Sequence, residues 1–331
     1  MSKQVFAKEV EKLIDPISVG SLHLLQSFNQ LLPKSIQKKV VRSSSKKTPH
    51  MGFVVEPYST FLCYEIADIK QAKKLIPDSF ELLKTKIFAD DEPKYYCIFG
   101  CVRAHTSAFW GFRTEFYIIA EDKKTKLLSW LIIDYDTNTI SYDDKNGLSS
   151  PNSSQSIMTI NHRGDLYVEI KRNDKSNELI FNTNVETGKM KNLDQRLWLE
   201  GNLSIGYGRD LSASETAAGI FSLKFEPLEV EKALKIPGNS LKLESNTWYP
   251  RLFKKEPSQI VCFPYAQHFI SDSPGFSSNI KNKEELVAAT KELDFTNMKV
   301  FSTKSFKVMF VIGSILSSLI TITFFLLWLN K

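Results

Sequence analysis

Tyr95–Asp136 reads YYCIFGCVRAHTSAFWGFRTEFYIIAEDKKTKLLSWLIIDYD. It contains three runs rich in aromatic and β-branched residues, Tyr95–Val102, Phe112–Ala120 and Leu127–Tyr135, each reading as a strand. Between the last two, Glu121-Asp122-Lys123-Lys124-Thr125-Lys126 forms a polar hairpin turn. So short a connection makes its flanking strands antiparallel neighbours. Working outward, similar runs recur at Thr60–Ile66, Phe80–Phe88, Gln155–Ile160, Leu166–Arg172, Glu178–Asn184, Trp198–Tyr207 and Ile220–Phe225. Gly, Asn, Asp and Ser clusters separate them. Helices are few: Asp68–Leu75 ending at Ile76-Pro77, Leu228–Lys235 stopping at Ile236-Pro237-Gly238, and Lys281–Leu293. The expected fold class is α+β: a large antiparallel, barrel- or sandwich-like β domain with a few covering helices, plus one C-terminal transmembrane helix.

That last helix is the 22-residue stretch Val308–Leu329, VMFVIGSILSSLITITFFLLWL, which carries no charge. At 1.5 Å per residue it reaches about 33 Å, enough for a hydrocarbon core of about 30 Å. Met1–Ile14 alternates charged and apolar residues and lacks the apolar core of a secretory signal. Lys299, Lys304 and Lys307 precede the span and only Lys331 follows it. The expected topology is therefore tail-anchored, single-pass, with the bulk of the chain cytoplasmic. Two glycosylation-like triplets, at Asn152 and Asn202, would then go unused. Gly313, Ser317 and Thr321 recur every four residues, a small-residue stripe that allows a homodimer through this helix.

Charge supports the same placement. Of the net +6, residues 1–52 hold +6 and residues 299–331 hold +4, leaving −4 in the middle. A nucleic-acid-binding domain would carry its positive charge on the fold itself, so nucleic acid is not an expected partner. Membrane lipid is. Within the first segment Ile17, Leu24, Leu25, Phe28, Leu31 and Leu32 share one helix face. The basic run Lys34, Lys38, Lys39, Arg42, Lys46 and Lys47 follows. Such a helix suits the headgroup region, or it packs on the soluble domain. The expected division is 1–52 as amphipathic helices and basic linker, 53–280 as the β-rich domain, 281–307 as a helical connector and 308–329 as the span.

The strong catalytic signatures of nucleotide hydrolysis, zinc proteolysis and serine hydrolysis are absent. Cys63, Cys97, Cys101 and Cys262 fit neither a disulfide framework nor a zinc site, and no two of the five His have ligand spacing. No metal or other cofactor is expected. What remains is polar residues within aromatic strands. Arg113 and Glu115, two apart, project from one sheet face, either lining an interior or pairing on the surface. His105 and Trp110 precede them. Glu200 and Asn202 flank Gly201, and Tyr265 and His268 lie in the late FPYAQHF stretch. Glu115, Arg113 and His268 are the candidate catalytic residues; Trp110, Glu200, Asn202, Tyr265 and His105 are the candidate ligand contacts.

From Tyr64 to about Leu148 the chain resembles the acetoacetate decarboxylase-like superfamily. The matching features are a strand, helix Asp68–Leu75, the passage Leu75-Ile76-Pro77-Asp78-Ser79-Phe80-Glu81-Leu82, the strand Arg113-Thr114-Glu115-Phe116, and Trp130–Ile133 leading into Asp134-Tyr135-Asp136. The resemblance covers about a quarter of the chain and rests on order and spacing. It implies a β-barrel-like fold around an interior cavity, with Glu115 in the place of the family's cavity glutamate. The decarboxylases' GRExxGxPK passage, whose lysine forms the Schiff base, is missing; the region reads Thr139–Leu148, TISYDDKNGL. Its Lys145 stands beside two carboxylates, whereas a Schiff-base amine needs cationic or desolvated surroundings. The expected function is thus a membrane-anchored domain whose cavity binds a small apolar or acidic, lipid-like ligand. The alternatives are a related lyase or hydrolase using a Glu/Arg/His site, and a membrane-tethered interaction scaffold.

Overall fold

The computed structural model describes residues 3–16, 19, 32–33, 35–36, 51–106, 110–143, 145, 147–216, 222–271, 280, 282–298 and 304–329. Helix α1 (Lys3–Lys12) comes first, then strands β1 (Met51–Val55) and β2 (Ser59–Glu65) and helix α2 (Ile69–Leu75). Next are β3 (Phe80–Leu82), β4 (Lys84–Thr85), β5 (Lys94–Thr106), β6 (Trp110–Asp122) and β7 (Leu128–Thr137). The small hairpin β8 (Ser141–Asp143) and β9 (Gly147–Ser149) precedes β10 (Ile157–Ile160), β11 (Asp165–Lys171), β12 (Glu178–Asn184) and β13 (Lys189–Asn192). Strands β14 (Ile205–Tyr207), β15 (Leu223–Phe225) and β16 (Lys232–Pro237) are short. They are followed by β17 (Lys242–Asn246), β18 (Gln259–Phe263) and β19 (Gln267–Ser271). Helices α3 (Lys283–Lys291) and α4 (Lys304–Leu329) come last.

Thirteen of these strands form one sheet, and β10-β11-β12-β17 form a second of four. All pairings are antiparallel except that of β14 with β7. The α+β class therefore holds. The hub is β5, thirteen residues long, with β6 along one side and β2 and β1 sharing the other. Side chains alternate across a strand, so β5 feeds two cores. Cys97, Phe99 and Cys101 join Leu166, Val168, Leu179 and Phe181 of the second sheet. Ile98 faces the other way, into a core that contains Phe61, Trp130, Trp198 and Phe263.

That second core is the inside of a curved sheet. Phe61 on β2 and Trp130 on β7 are three strands apart, which in a flat sheet is about 14 Å. Their ring centroids are 6.1 Å apart. Gly100 on β5 makes the approach possible: a Cβ there would lie 2.9 Å from the Phe61 ring and 3.2 Å from that of Tyr117. Burial of each such ring stabilises the fold by roughly 1.5–3 kcal/mol.

Several expected elements differ. Trp198–Tyr207 is not one strand: Arg196–Glu200 is a π-helical turn, Gly201–Leu203 a 3-10 turn, and only Ile205–Tyr207 pairs. Leu197, Trp198 and Leu199 are all buried, which no strand with one solvated face permits. The Trp130 indole donates to Leu197 O at 2.9 Å and presses against Gly201, where a Cβ would meet Nε1 at 2.2 Å. Leu228–Lys235 is likewise not a helix. Pro227–Val230 makes a 3-10 turn, and Lys232–Pro237 is drawn into the sheet between β13 and β18. Phe80–Phe88 yields only the short β3 and β4.

Other expectations stand as read. Asp68 caps α2, accepting from Gln71 N at 2.9 Å, and the helix stops at the residue before Pro77. All four cysteines are free and buried, and burial pushes Cys101 and Cys262 up to about 12. Helix α4 is long and apolar enough to cross a membrane over Val311–Leu329, and none of the described residues buries that stretch. The second amphipathic helix through Ile17 and Leu31, and most of the basic run 34–47, lie outside the described residues. Helix α1 is described, and it is packed: Phe6 and Val10, one turn apart, are buried against Ile270 of β19.

Candidate functional site

Strand β6 sits between β5 and β7, and its alternate residues Arg113, Glu115 and Tyr117 project to the curved interior. Arg113 opposes Val102 and Glu115 opposes Gly100, the same parity as Ile98. Of the two readings open for the pair, the interior one is what the structure shows. Arg113 Nε donates to Glu115 Oε1, Arg113 Nη1 donates to Ser141 Oγ, and Tyr117 OH donates to Glu115 Oε2. The guanidinium lies 4.2 Å from the centre of the Tyr135 ring. Side-chain exposure is 13% for Arg113 and 16% for Glu115, so one edge of the pair reaches solvent.

Electrostatics hold the cluster in one state. Burial alone would lower the Arg113 pKa, but the Glu115 charge and hydrogen bond outweigh it, so the guanidinium stays protonated. Burial, then the Glu115 charge, pushes the Tyr117 hydroxyl well up, so it remains a donor. Arg113 carries five N–H groups. Its Nη2 has no acceptor among the described residues. The cluster can therefore receive a carboxylate, phosphate or carbonyl oxygen at Nη2 while Glu115 balances the charge.

The other expected site residues lie elsewhere. His268, Val54, His105 and Trp110 are successive cross-strand partners on β19, β1, β5 and β6, and so share one face. By parity it is the face opposite Arg113 and Glu115. His105 bonds Glu56, and Trp110, 38% exposed, lies 4.9 Å from the His105 ring. His268 Nδ1 meets Glu229 Oε1 at 3.0 Å, its backbone N–H donates to Glu229 Oε2 at 2.6 Å, and its Nε2 lies 3.5 Å from Glu11 of α1. Glu200 accepts from Leu128 N at 2.8 Å. Leu128 opposes Glu121, eight residues along β6 from Arg113, or about 27 Å. Asn202 donates to Trp198 O, and Tyr265 OH donates to Lys232 O. Thus Arg113 and Glu115 come together on one face and His105 and Trp110 on the other, and neither His stands beside Glu115 as an acid–base partner. Lys145 is solvent-exposed.

Sequence reasoning missed the partners of the pair: Tyr117, Tyr135 and Ser141. Tyr117 continues the i, i+2, i+4 series and was open to that rule; Tyr135 and Ser141 arrive from β7 and β8, and no local signal marks them. A second buried cluster was also missed. Arg172 donates to Asp136 at 2.6 Å and Asp134 at 2.8 Å, and lies 5.5 Å from the Trp248 ring between the two sheets.

No known family model matches this chain, and no curated protein matches it. The chain is similar to an acetoacetate decarboxylase. That structure, from Legionella pneumophila subsp. pneumophila, is 13% identical, with a TM-score of 0.44, covering 68% of this chain and 86% of its own.

Proposed function

We propose that this chain is a membrane-anchored, cytoplasm-facing domain that binds a small acidic, lipid-like molecule at Arg113. The supporting observation is the Arg113 Nη2 group, charged and without a protein acceptor among the described residues, beside the Tyr135 ring and the aromatic core. A ligand carboxylate or phosphate oxygen would take that donor in a charge-assisted bond. Glu115 and Tyr117 would fix the guanidinium, and the neighbouring rings would meet the ligand's apolar body. The tether fits this reading: α4 would keep the domain beside the lipid pool from which such ligands partition. The parts proposed are residues 53–280 for the binding domain, 281–307 for the connector and 308–329 for the span. The stripe Gly313, Ser317 and Thr321 would be a dimer contact.

The test is native mass spectrometry of the full chain in detergent, followed by titration with a medium-chain fatty acid and an alkyl phosphate. Arg113→Met should lose bound ligand, and Trp110→Ala on the opposite face should retain it. Equal binding by wild type and Arg113→Met, or no binding of either acid by wild type, refutes the proposal.

A further inference from the structure

The inward face of the large sheet is open to solvent around Arg113. On β6 the inward residues Arg113, Glu115 and Tyr117 are half-buried, whereas Phe112, Thr114 and Phe116 between them are fully buried on the side of the second sheet. Val102 of β5, directly across from Arg113, and Phe61 of β2 are half-buried on the same inward face. Farther in, Trp130, Trp198 and Phe263 are buried, their ring centroids 5.2 to 6.1 Å from that of Phe61. A ligand entering here meets Val102 and the Phe61 ring with its apolar part and Arg113 with its polar end.

The charge of the patch sums to zero. Arg113 supplies one positive charge and Glu115 one negative charge. No other ionic side chain contacts these two or Tyr117 among the described residues. The remaining polar groups are hydroxyls, those of Ser141 and of Tyr117 and Tyr207, the last close enough to act on both Arg113 and Tyr117. An anionic head at Arg113 Nη2 is therefore drawn by one cation and repelled by the carboxylate beside it. The cost of desolvating an ion grows as the square of its charge, but the attraction grows only in proportion. With Glu115 offsetting part of that attraction, a second charge on the head costs more than it returns.

We propose that Glu115 is a charge filter: the Arg113 site takes amphiphiles whose head carries one negative charge, a carboxylate or a phosphodiester, and rejects a doubly charged phosphate monoester. This rests on Arg113 anchoring the ligand, as proposed above, and adds which anion the anchor accepts.

The probes are octanoate, octyl methyl phosphate and octyl phosphate, titrated calorimetrically into the full chain in a nonionic detergent from pH 5 to pH 8. Arg113→Met supplies the background from micelles. The monoester loses its second proton near pH 6, and the diester has none to lose. Across that window Arg113 stays protonated, burial keeps Tyr117 a phenol, and Tyr135 and Tyr207 are phenols whose ordinary value is near 10. Octyl phosphate should weaken by about tenfold or more between pH 5 and pH 8, since a unit charge about 6 Å away at an effective dielectric of about 20 is worth about a hundredfold before screening. Octyl methyl phosphate should change by less than about threefold, and octanoate should still bind at pH 8. In Glu115→Gln, which can still accept from Arg113 Nε but carries no charge, octyl phosphate should regain most of its loss at pH 8. The wild-type comparison decides by itself whether the filter exists, whatever the stability of that variant. A constant ratio of monoester to diester affinity from pH 5 to pH 8, with neither binding Arg113→Met, overturns the filter and leaves the anchor standing. An equal loss in Glu115→Gln overturns the role of Glu115. If no probe binds wild type, or all bind Arg113→Met as well, filter and anchor both fall.

Discussion

Arg113 and Glu115 lie where few charged pairs are found, at the edge of an aromatic interior, and each depends on the other. Removing Glu115 would leave the guanidinium with Ser141 and the Tyr135 face alone. We expect Glu115→Ala to destabilise the chain by about 3–5 kcal/mol, the cost of stranding one member of a buried pair. Replacing both, Arg113→Met with Glu115→Leu, should cost much less. Denaturant unfolding followed by tryptophan fluorescence checks both values. Asp136 offers a separate test. It is fully buried, its Oδ2 has no hydrogen-bond partner among the described residues, and burial raises its carboxyl to about 6 although Arg172 opposes the shift. An unfolded Asp titrates near 3.9, so between about pH 4 and 6 the native state holds more protons than the unfolded state. Stability should therefore fall as pH rises through that window, by on the order of 3 kcal/mol, and then level off. In Asp136→Asn that slope should vanish. A slope unchanged by the substitution would contradict the assignment.

At the scale of elements, the misread segments show what local pattern lacks. Residues 196–203 have strand-like composition, yet the Trp130 indole takes Leu197 O and excludes any side chain at Gly201. We expect Gly201→Ala to destabilise by about 1–3 kcal/mol or more, since Trp130 has to move. A thermal melt within one degree of wild type would show that the turn yields freely. Residues 228–235 have helical spacing, but β18 offers an open ladder edge, and hydrogen bonds to that edge outweigh intrinsic propensity. Helix α1 is held partly by His268, whose ring lies between Glu229 and Glu11. Burial lowers the His268 pKa, but the bonds and charges of Glu229 and Glu11 prevail and raise it. A raised histidine stabilises fully below its unfolded value near 6.5, and that contribution is lost as pH rises through the higher folded value. Hydrogen exchange of α1, corrected for intrinsic rate, should show protection falling above about pH 6.5. His268→Gln should remove the pH dependence.

For the whole molecule, the orientation proposed for the apolar helix is open to direct test. The side-chain amide of Asn152 donates to Tyr135 O at 3.0 Å and accepts from Thr137 N at 2.8 Å, and that of Asn202 donates to Trp198 O. Both are engaged in the fold. We expect the bulk of the chain to resist protease added outside intact cells. Digestion there, or glycan on Asn152, would reverse the topology. The strands β5 to β7, helix α2 and the apolar helix α4 were legible from the residues, because period, capping and length are local properties that neighbours in sequence express by themselves. Strands β16 to β19 were not, and neither was the placement of the candidate site. Sequence put Arg113 and Glu115 on one face of a strand, but which face curls inward depends on Phe61 crossing Gly100 to reach Trp130. Sheet curvature is set by side chains meeting from distant strands, and so only the tertiary structure decided that His268 and Arg113 lie on opposite sides of the sheet.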